Sequence, residues 1–152
     1  MALKTALVET PSDRQAAYAL RHDVYVLEQG VPVELEIDEH DETDARHFAV
    51  WDGGEVIATA RLVPLGDAMK FGRLAVQREY RGQGIASQLL QTCLYHAFGN
   101  PDIKRVILDA QLDAMRLYRR AGFVEEGEQF MDAGIPHQRM RLNREIRNPS
   151  QM

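Results

Sequence analysis

Residues 71–86 read FGRLAVQREYRGQGIA, and within them an apolar, strand-like segment meets a glycine-rich turn and then a helix. The segment that ends at Val76 has the apolar content of a buried strand. Beyond the glycines, apolar residues recur at the spacing of a helix, at Ile85, Leu89, Leu90, Cys93 and Leu94. The stretch therefore predicts a strand that turns abruptly into a helix.

The junction between these two elements is suited to binding phosphate. The first N–H groups of a helix lack intrahelical partners, and the aligned peptide dipoles leave positive charge there, so anions bind at that end. Gly82 and Gly84 carry no Cβ and let a phosphate approach the backbone closely, while Arg78 and Arg81 add formal positive charge. We therefore expect a phosphate-bearing ligand at this turn.

Three classes of phosphate site share this logic. A dinucleotide-binding fingerprint requires a third glycine where this chain has Ser87, although Asp109 could imitate its ribose-binding carboxylate. Such glycines normally follow the first strand of a long domain, whereas about half of this chain precedes them. A P-loop is disfavoured because no Lys and Ser/Thr pair follows Gly84. A nicotinamide-dependent oxidoreductase remains as a minor alternative.

The third class fits the residues best. The pattern Arg81-x-x-Gly84-x-Ala86 resembles the pyrophosphate motif of the GNAT superfamily of acyl-CoA-dependent N-acetyltransferases, and residues 73–76 resemble that family's fourth strand. The segment LYRRAGF at 117–123 is similar to the family's YxxxGF segment. The blocks RHDVYVLEQGVP at 21–32 and DAGIPH at 132–137 resemble one subgroup, the small bacterial proteins related to YjcF and ElaA.

The resemblance implies both a fold and an activity. The fold would be the α/β (α+β) acyl-CoA N-acyltransferase fold, a mixed sheet of six or seven strands with helices on both faces and splayed parallel fourth and fifth strands. The activity would be direct transfer of an acetyl group from acetyl-CoA to an amine of a small molecule or a protein. A non-catalytic acyl-CoA sensor or interaction module is the alternative.

The resemblance also implies which residues bind the cofactor. Backbone groups of the fourth strand would bond the pantetheine arm, and the glycine-rich turn would hold the pyrophosphate. Tyr118 matches the family tyrosine that gives its proton to the sulfur of coenzyme A, a role suited to a phenol that is protonated at neutral pH. The implied cofactor-binding residues are Leu74, Ala75, Val76, Arg81, Gly82, Gln83, Gly84, Ile85, Ala86 and Ser87.

The acceptor side is less defined. Glu28 and Gln29 match the subgroup's Glu-Gln pair and are expected to face the acceptor, as is His137. The general base is left open among Glu28, Asp38, His40 and His137, because a carboxylate or histidine can take the amine proton. The acidic run at 34–44 indicates either solvated surface or a cationic acceptor. No metal is predicted, because this run lacks the alternation and glycine turn of hard-cation loops.

Composition sets the broad class. The chain has 152 residues, 45% hydrophobic and 27% charged, which suits one soluble domain, assigned to residues 1–146 and followed by a polar, mobile tail at 147–152. No membrane span or signal peptide is predicted, so we expect a cytoplasmic protein. The net charge of -5 disfavours nucleic acid. Cys93 is expected in the core, and a homodimer is left open.

Hydrophobic patterning predicts the remaining elements. A strand at 4–8 precedes a helix that starts at Ser12 as its cap and runs towards Glu28, with its inward stripe ending at Leu27. The acidic run is expected to be a loop, either irregular throughout or with a helical turn. A hairpin joins strands at 47–51 and 56–63, and strands at 69–76 and 105–110 are expected to be parallel neighbours. A helix at 112–121 and strands near 123 and at 137–142 complete the prediction.

Overall fold

A computed structural model describes residues 2–145, so the predicted tail lies outside the described residues. The chain forms one eight-stranded sheet with helices packed against it. The elements are β1 (Leu3–Leu7), α1 (Pro11–Arg21), a π-helix (His22–Glu28), α2 (Val33–Glu36), α3 (Glu39–Glu42), β2 (Arg46–Asp52), β3 (Glu55–Leu65), β4 (Ala68–Val76), a 3₁₀ turn (Arg78–Tyr80), α4 (Ile85–Phe98), β5 (Arg105–Gln111), a 3₁₀ turn (Leu112–Ala114), α5 (Met115–Arg120), β6 (Val124–Glu125), β7 (Phe130–Asp132) and β8 (Ile135–Asn143).

The sheet has eight strands, one more than the upper end of the expected range of six to seven. Its order is β1-β2-β3-β4-β5-β8-β6, and β7 also pairs with β8. All neighbours are antiparallel except β4 and β5. The strand predicted near residue 123 is β6, whereas β7, with three residues, was not predicted and pairs only with β8. Segments this short show no alternation that a sequence pattern could reveal.

The parallel strands β4 and β5 separate along their length, as expected. They pair only at their first residues, where Ala68, Met69 and Lys70 face Arg105, Val106 and Ile107. Beyond these pairs β4 continues to Val76 and β5 to Gln111 without contact through backbone hydrogen bonds. β5 stays paired with β8 as far as Gln111. The gap therefore opens at the carboxyl ends of the two parallel strands.

Helices cover both faces of the sheet. Phe48 and Val50 of β2 face a core shared with Leu89, Leu90 and Cys93 of α4, and Ala49 faces a second cluster with Leu20 and Val24. This alternation places α4 and the α1 region on opposite sides of the sheet. Cys93 is fully buried, and burial raises the pKa of its thiol, so its prediction as a core residue is confirmed.

The first helix differs from the prediction in its start and its second half. Thr10, not Ser12, is the N-cap, since its hydroxyl accepts a hydrogen bond from the Asp13 N–H at 3.1 Å. From His22 the backbone continues as a π-helix, whose wider turn changes which side chains face inward. Leu27 is consequently 68% exposed, and its prediction as an inward residue is wrong.

The acidic run contains two short helical turns, α2 and α3, where the sequence allowed for one, and they surround a buried ionic cluster. The Arg21 guanidinium, 1% exposed, donates to the carboxylates of Glu36 and Asp41 at 2.6–2.9 Å. Arg61 donates to Asp41 at 3.0 Å and to Asp38 at 2.7 Å. Burial raises the pKa of Asp41, but the neighbouring guanidinium groups outweigh it and hold that pKa well below its usual range. Glu36, Asp38 and Asp41 are therefore each bonded to a guanidinium group of this chain.

Candidate active site

The glycine-rich turn presents unpaired donors at the start of α4. Gly82 and Gly84 have φ angles of 77° and 80°, a left-handed conformation that favours glycine. Among the described residues, the N–H groups of residues 82–87 donate no hydrogen bond, and the first helical bond runs from the Gln88 N–H to the Gly84 carbonyl. Donors that point out of a helix start in this way form a site for an anion.

Arg81 is held beside this turn. Its Nε donates to the Val76 carbonyl at 2.9 Å, and its Nη2 donates to Glu28 at 3.0 Å. The other oxygen of Glu28 lies 3.7 Å from Arg78. Glu28 thus pairs with the arginines of the phosphate turn, and it does not line the cavity described next.

A cavity of about 470 Å³ lies where β4 and β5 separate. It extends from the phosphate turn, at Arg81 and Ala86, to Tyr118 and His137. The predicted site residues that line it are Gln29, Leu74, Ala75, Val76, Arg81, Ala86, Tyr118 and His137. Gly82, Gln83, Gly84, Ile85 and Ser87 do not line it. Ile85 is 4% exposed with its side chain in the core, so it can offer a ligand only its backbone.

The β4 edge that borders the cavity is irregular. The pairing of β3 with β4 shifts between Thr59 and Arg61, and Arg73 adopts a φ of 53° opposite this shift. This bulge bends the strand where it leaves β5. The Leu74 carbonyl then accepts a hydrogen bond from the Tyr25 hydroxyl at 2.5 Å. A carbonyl oxygen has two lone pairs, so Leu74 and Val76 can each accept a second donor.

Tyr118 lies at the inner wall of the cavity. Its ring packs edge-on against Phe71 and Phe123, with centroids 6.1 and 6.0 Å away, and the residue is 7% exposed. Its hydroxyl makes no hydrogen bond to another described residue. Burial, with a smaller effect of Tyr25, raises the pKa of Tyr118 above its ordinary value. The phenol is therefore fully protonated at neutral pH and free to donate.

His137 is the one candidate base that lines the cavity. It is 8% exposed, its ring stacks on Phe130, and its Nδ1 lies 2.7 Å from the Ile135 carbonyl. A carbonyl can only accept, so Nδ1 carries a proton, and in the neutral form of the imidazole the lone pair lies on Nε2. His137 can therefore accept a proton at Nε2 without changing its orientation.

Asp38 and His40 do not reach the cavity. Both oxygens of Asp38 accept from Arg61, and these hydrogen bonds lower the pKa of Asp38. His40 bonds Asp44 at 2.9 Å at the protein surface. Neither side chain is placed to take a proton from a group in the cavity.

A second, smaller cavity adjoins the first. It has a volume of about 110 Å³ and shares Tyr25, Arg73, Gln111, Asp132 and His137 with the larger one. Its remaining walls are mostly apolar, namely Val31, Leu35, Ala133 and Ile135, with Glu36 beside them. The two cavities meet at His137.

Two residues at this junction have no role in the sequence-based prediction. Tyr25 lines both cavities, and burial raises its pKa to about 12. Tyr25 lies in the π-helix and its hydroxyl donates to the Leu74 carbonyl of β4, a contact that a helical pattern does not reveal. Asp132 stands in the DAGIPH block, whose Ala133-Gly134 pair has φ angles of 50° and 77°. That pair is a hairpin signal that could have placed Asp132 opposite Ile135.

Two kinds of site are absent from residues 2–145. No group of three or more His, Cys, Asp or Glu side chains is arranged to hold a metal ion in this part of the chain. None of the helices in it is both long and apolar enough to cross a bilayer.

Comparison with known sequences matches the chain over most of its length. Residues 13–144 match the family model described as an acetyltransferase (GNAT) domain. The chain is 31% identical over 139 residues to the uncharacterized N-acetyltransferase YjcF of Bacillus subtilis, across 91% of this chain and 98% of that protein. It is 36% identical over 134 residues to the protein ElaA of Escherichia coli, across 83% of this chain and 84% of that protein.

Comparison with solved structures agrees with the sequence matches. The crystal structure of ElaA from Escherichia coli has a TM-score of 0.84 at 29% identity, covering 92% of this chain and 99% of that one. An acyl-CoA N-acyltransferase from Pseudomonas aeruginosa has a TM-score of 0.83 at 30% identity, with coverage of 92% and 99%. These likenesses confirm the fold class expected from the sequence.

Proposed function

The chain belongs to the GNAT family of N-acetyltransferases, and from that premise we propose that it transfers an acetyl group from acetyl-CoA directly to an amine. One observation carries the proposal: the gap between β4 and β5 forms a cavity of about 470 Å³ whose lining includes Arg81 and Ala86 of the glycine-rich turn. A cavity of this size suits a small molecule or the arm of a cofactor. The turn supplies the anion site that a pyrophosphate needs.

The cofactor contacts follow from the backbone around the cavity. The turn at residues 82–87 and Arg81 would hold the pyrophosphate, and the free edge of β4 at Leu74, Ala75 and Val76 would bond the pantetheine arm. Bound acetyl-CoA would supply an activated acetyl thioester. A β4 N–H near its carbonyl would stabilise the developing oxyanion.

Proton transfer is assigned to the two polar side chains at the inner end of the cavity. The amine nitrogen forms the new bond to the acetyl carbon and loses a proton to Nε2 of His137. The C–S bond breaks, and the departing thiolate takes the phenolic proton of Tyr118. Both residues then return to their starting protonation states through solvent. No covalent enzyme intermediate is needed, because Cys93 is buried away from the site.

An assay of thiol release tests the proposal against the sensor alternative. Purified protein is incubated with acetyl-CoA and pentylamine, 1,5-diaminopentane, 5-aminopentanoate or a lysine-containing peptide. We expect amine-dependent thiol release and an acetylated product by mass spectrometry. Cofactor binding without release above slow hydrolysis, for every amine, would instead support a non-catalytic sensor. Binding of NADH in preference to acetyl-CoA would support the oxidoreductase alternative.

Gly84→Ala is expected to weaken coenzyme A binding. A Cβ on Gly84 would meet no protein atom within 4 Å and would project into the space in front of the turn. There it would obstruct an approaching phosphate, so we expect the Kd for coenzyme A in calorimetry to rise about tenfold, or ~1.4 kcal/mol.

Gly66→Ala is the matched control for this variant. Gly66 lies in the turn between β3 and β4 and has a φ of 64°, and a Cβ at this position would likewise meet no protein atom within 4 Å. Both variants carry the same backbone strain, about 1–2 kcal/mol, but only the Gly84 variant should bind coenzyme A more weakly. An equal Kd in the two variants would argue against the turn as the phosphate site.

His137→Gln is expected to lower kcat/KM by about 10²-fold, because general base catalysis contributes 10²–10⁴-fold. Glutamine keeps an N–H that can donate to the Ile135 carbonyl but has no basic nitrogen. The Kd for coenzyme A should stay unchanged. The control is His22→Gln on the exposed side of the π-helix. A kcat/KM for the His137 variant equal to that of the His22 variant would assign the base elsewhere.

A further inference from the structure

Resting on the proposed function, we infer that the smaller cavity is an acceptor subsite in which Asp132 binds a second cationic group of the amine substrate. The acceptor class is therefore an alkyl diamine, or an alkylamine with an equivalent cationic group. The reacting nitrogen lies at His137, the second cation lies at Asp132, and a short apolar chain joins them.

The hairpin of β7 and β8 places these two side chains on one face. Asp132 is paired directly with Ile135, and Phe130 is paired with His137. Residues two apart in a strand share a face, so Ile135 and His137 point the same way, and Asp132 points with them. The separation along the hairpin is about 7 Å, because each residue advances a strand by roughly 3.4 Å.

Asp132 is the uncommitted carboxylate of this cavity. The other carboxylate in its wall, Glu36, is 3% exposed and bonded to Arg21 at 2.6 and 2.9 Å. Asp132 makes no ion pair with any side chain in residues 2–145, and it lies beside the tight Ala133-Gly134 turn that orients the end of β7. A cationic acceptor would therefore find a carboxylate without an ion-pair partner at this end of the cavity.

The wall between the two polar groups matches an alkyl chain. Ile135 is paired with Asp132 and stands two residues before His137, and Val31 and Leu35 also line this cavity. Leu35 is 54% exposed, so it has apolar surface to contribute to a ligand. The order along the cavity is thus a base, an apolar surface and a carboxylate.

The distance between Asp132 and His137 also favours loss of the proton from the reacting amine. A carboxylate in contact with the reacting nitrogen would stabilise its ammonium form and oppose loss of the proton. Neutral Nε2 of His137 has no such effect. Asp132 can therefore bind one cation firmly while the other nitrogen, two residue pairs away, is deprotonated.

Arg73 also lines this cavity, and its positive charge would repel a cationic acceptor. Its charge is compensated, because Nε lies 3.4 Å from Glu36 and Nη2 lies 3.3 Å from Asp38. Its guanidinium also donates to the backbone carbonyls of Leu35 and Glu36. If Arg73 nonetheless dominated recognition, the preferred acceptor would carry a carboxylate in place of the second amine.

Three acceptors of equal length separate these possibilities: 1,5-diaminopentane, pentylamine and 5-aminopentanoate, with cationic, neutral and anionic ends. We expect kcat/KM to be about five- to tenfold higher for the diamine than for pentylamine, the range of a charge-assisted contact at a partly solvated site. The aminopentanoate should be the poorest. A preference for the aminopentanoate, or equal use of the diamine and pentylamine, would overturn the inference.

Asp132→Asn is expected to lower the ratio of kcat/KM for the diamine to kcat/KM for pentylamine from five- to tenfold to about one. The matched control is Glu34→Gln, which removes one negative charge from an exposed position in α2 outside both cavities. It should preserve the ratio between the two acceptors. A loss of that ratio in the Glu34 variant would mean that overall charge, not Asp132, sets the preference.

A binding measurement separates failure of this inference from failure of the proposed function. Calorimetry of 1,5-diaminopentane into the protein saturated with coenzyme A should give a Kd that rises five- to tenfold in the Asp132→Asn variant. Binding with this dependence but without thiol release would refute turnover and retain the subsite. Turnover of pentylamine without detectable diamine binding would retain the enzyme and refute the subsite.

Discussion

Tyr118→Phe is expected to lower kcat by about 10²- to 10⁴-fold, the contribution of a general acid. The variant removes only the hydroxyl, which has no hydrogen-bond partner among the described residues, and keeps the ring between Phe71 and Phe123. The fold and the Kd for coenzyme A should therefore be nearly unchanged. The expected result is a fall in kcat without loss of cofactor binding.

The measurement is thiol release with 1,5-diaminopentane and pentylamine, beside calorimetry with coenzyme A. Cys93 is fully buried, so a thiol reagent should detect released coenzyme A with little background from the protein. Tyr95→Phe is the matched control, because Tyr95 is 86% exposed on α4. Turnover by the Tyr118 variant at the rate of the Tyr95 variant would remove the assigned role.

Arg21→Met is expected to cost about 3 kcal/mol of the free energy of unfolding, the lower end of the range for breaking a buried ion pair. Methionine fills part of the space but leaves Glu36 and Asp41 without their closest partner. The cost should not reach the top of the range, because Arg61 still donates to Asp41 at 3.0 Å and Arg73 lies 3.4 Å from Glu36. The total free energy of unfolding of a domain of this size is about 5–15 kcal/mol.

Urea unfolding followed by circular dichroism measures this loss. Arg14→Met, an exposed change of the same type on the same helix, should alter stability by no more than about 0.5 kcal/mol. A loss below about 1 kcal/mol in the Arg21 variant, within the range of a surface ion pair, would show that the cluster is solvated or readily rearranged. That outcome would contradict the description of Arg21, Glu36 and Asp41 as a buried ionic cluster.

The family, the fold class and the order of most elements could be predicted from the sequence, because their signals are local. Gly82 and Gly84 mark the phosphate turn through their backbone freedom, and both have positive φ angles. The Asp52-Gly53-Gly54 segment marks the hairpin between β2 and β3, which pair as expected. Each of these signals depends on a few neighbouring residues, so it can be recognised without knowledge of the rest of the molecule.

The partners of the charged side chains could not be predicted in the same way. The acidic run has the pattern of a solvated surface or of a site for cations. In the structure, its carboxylates at Glu36 and Asp41 are buried in ion pairs with arginine side chains. Glu28 is expected from the sequence to face the acceptor, but it pairs with Arg81, 53 positions later in the chain. A sequence pattern gives the sign of each charge, and packing decides which opposite charge it meets.

The sequence by itself determined the glycine-rich turn and the parallel pair of strands, since short-range backbone preferences and apolar periodicity specify them, and its motifs gave the family by their resemblance to known ones. Only the tertiary structure decided that Tyr25, Asp132 and His137 meet at one end of the cavity, because the π-helix, the β4 bulge and the short strand β7 bring them together. These features depend on contacts between distant segments. Packing between segments that are distant in the sequence stabilises them, and no local pattern of residues shows that packing.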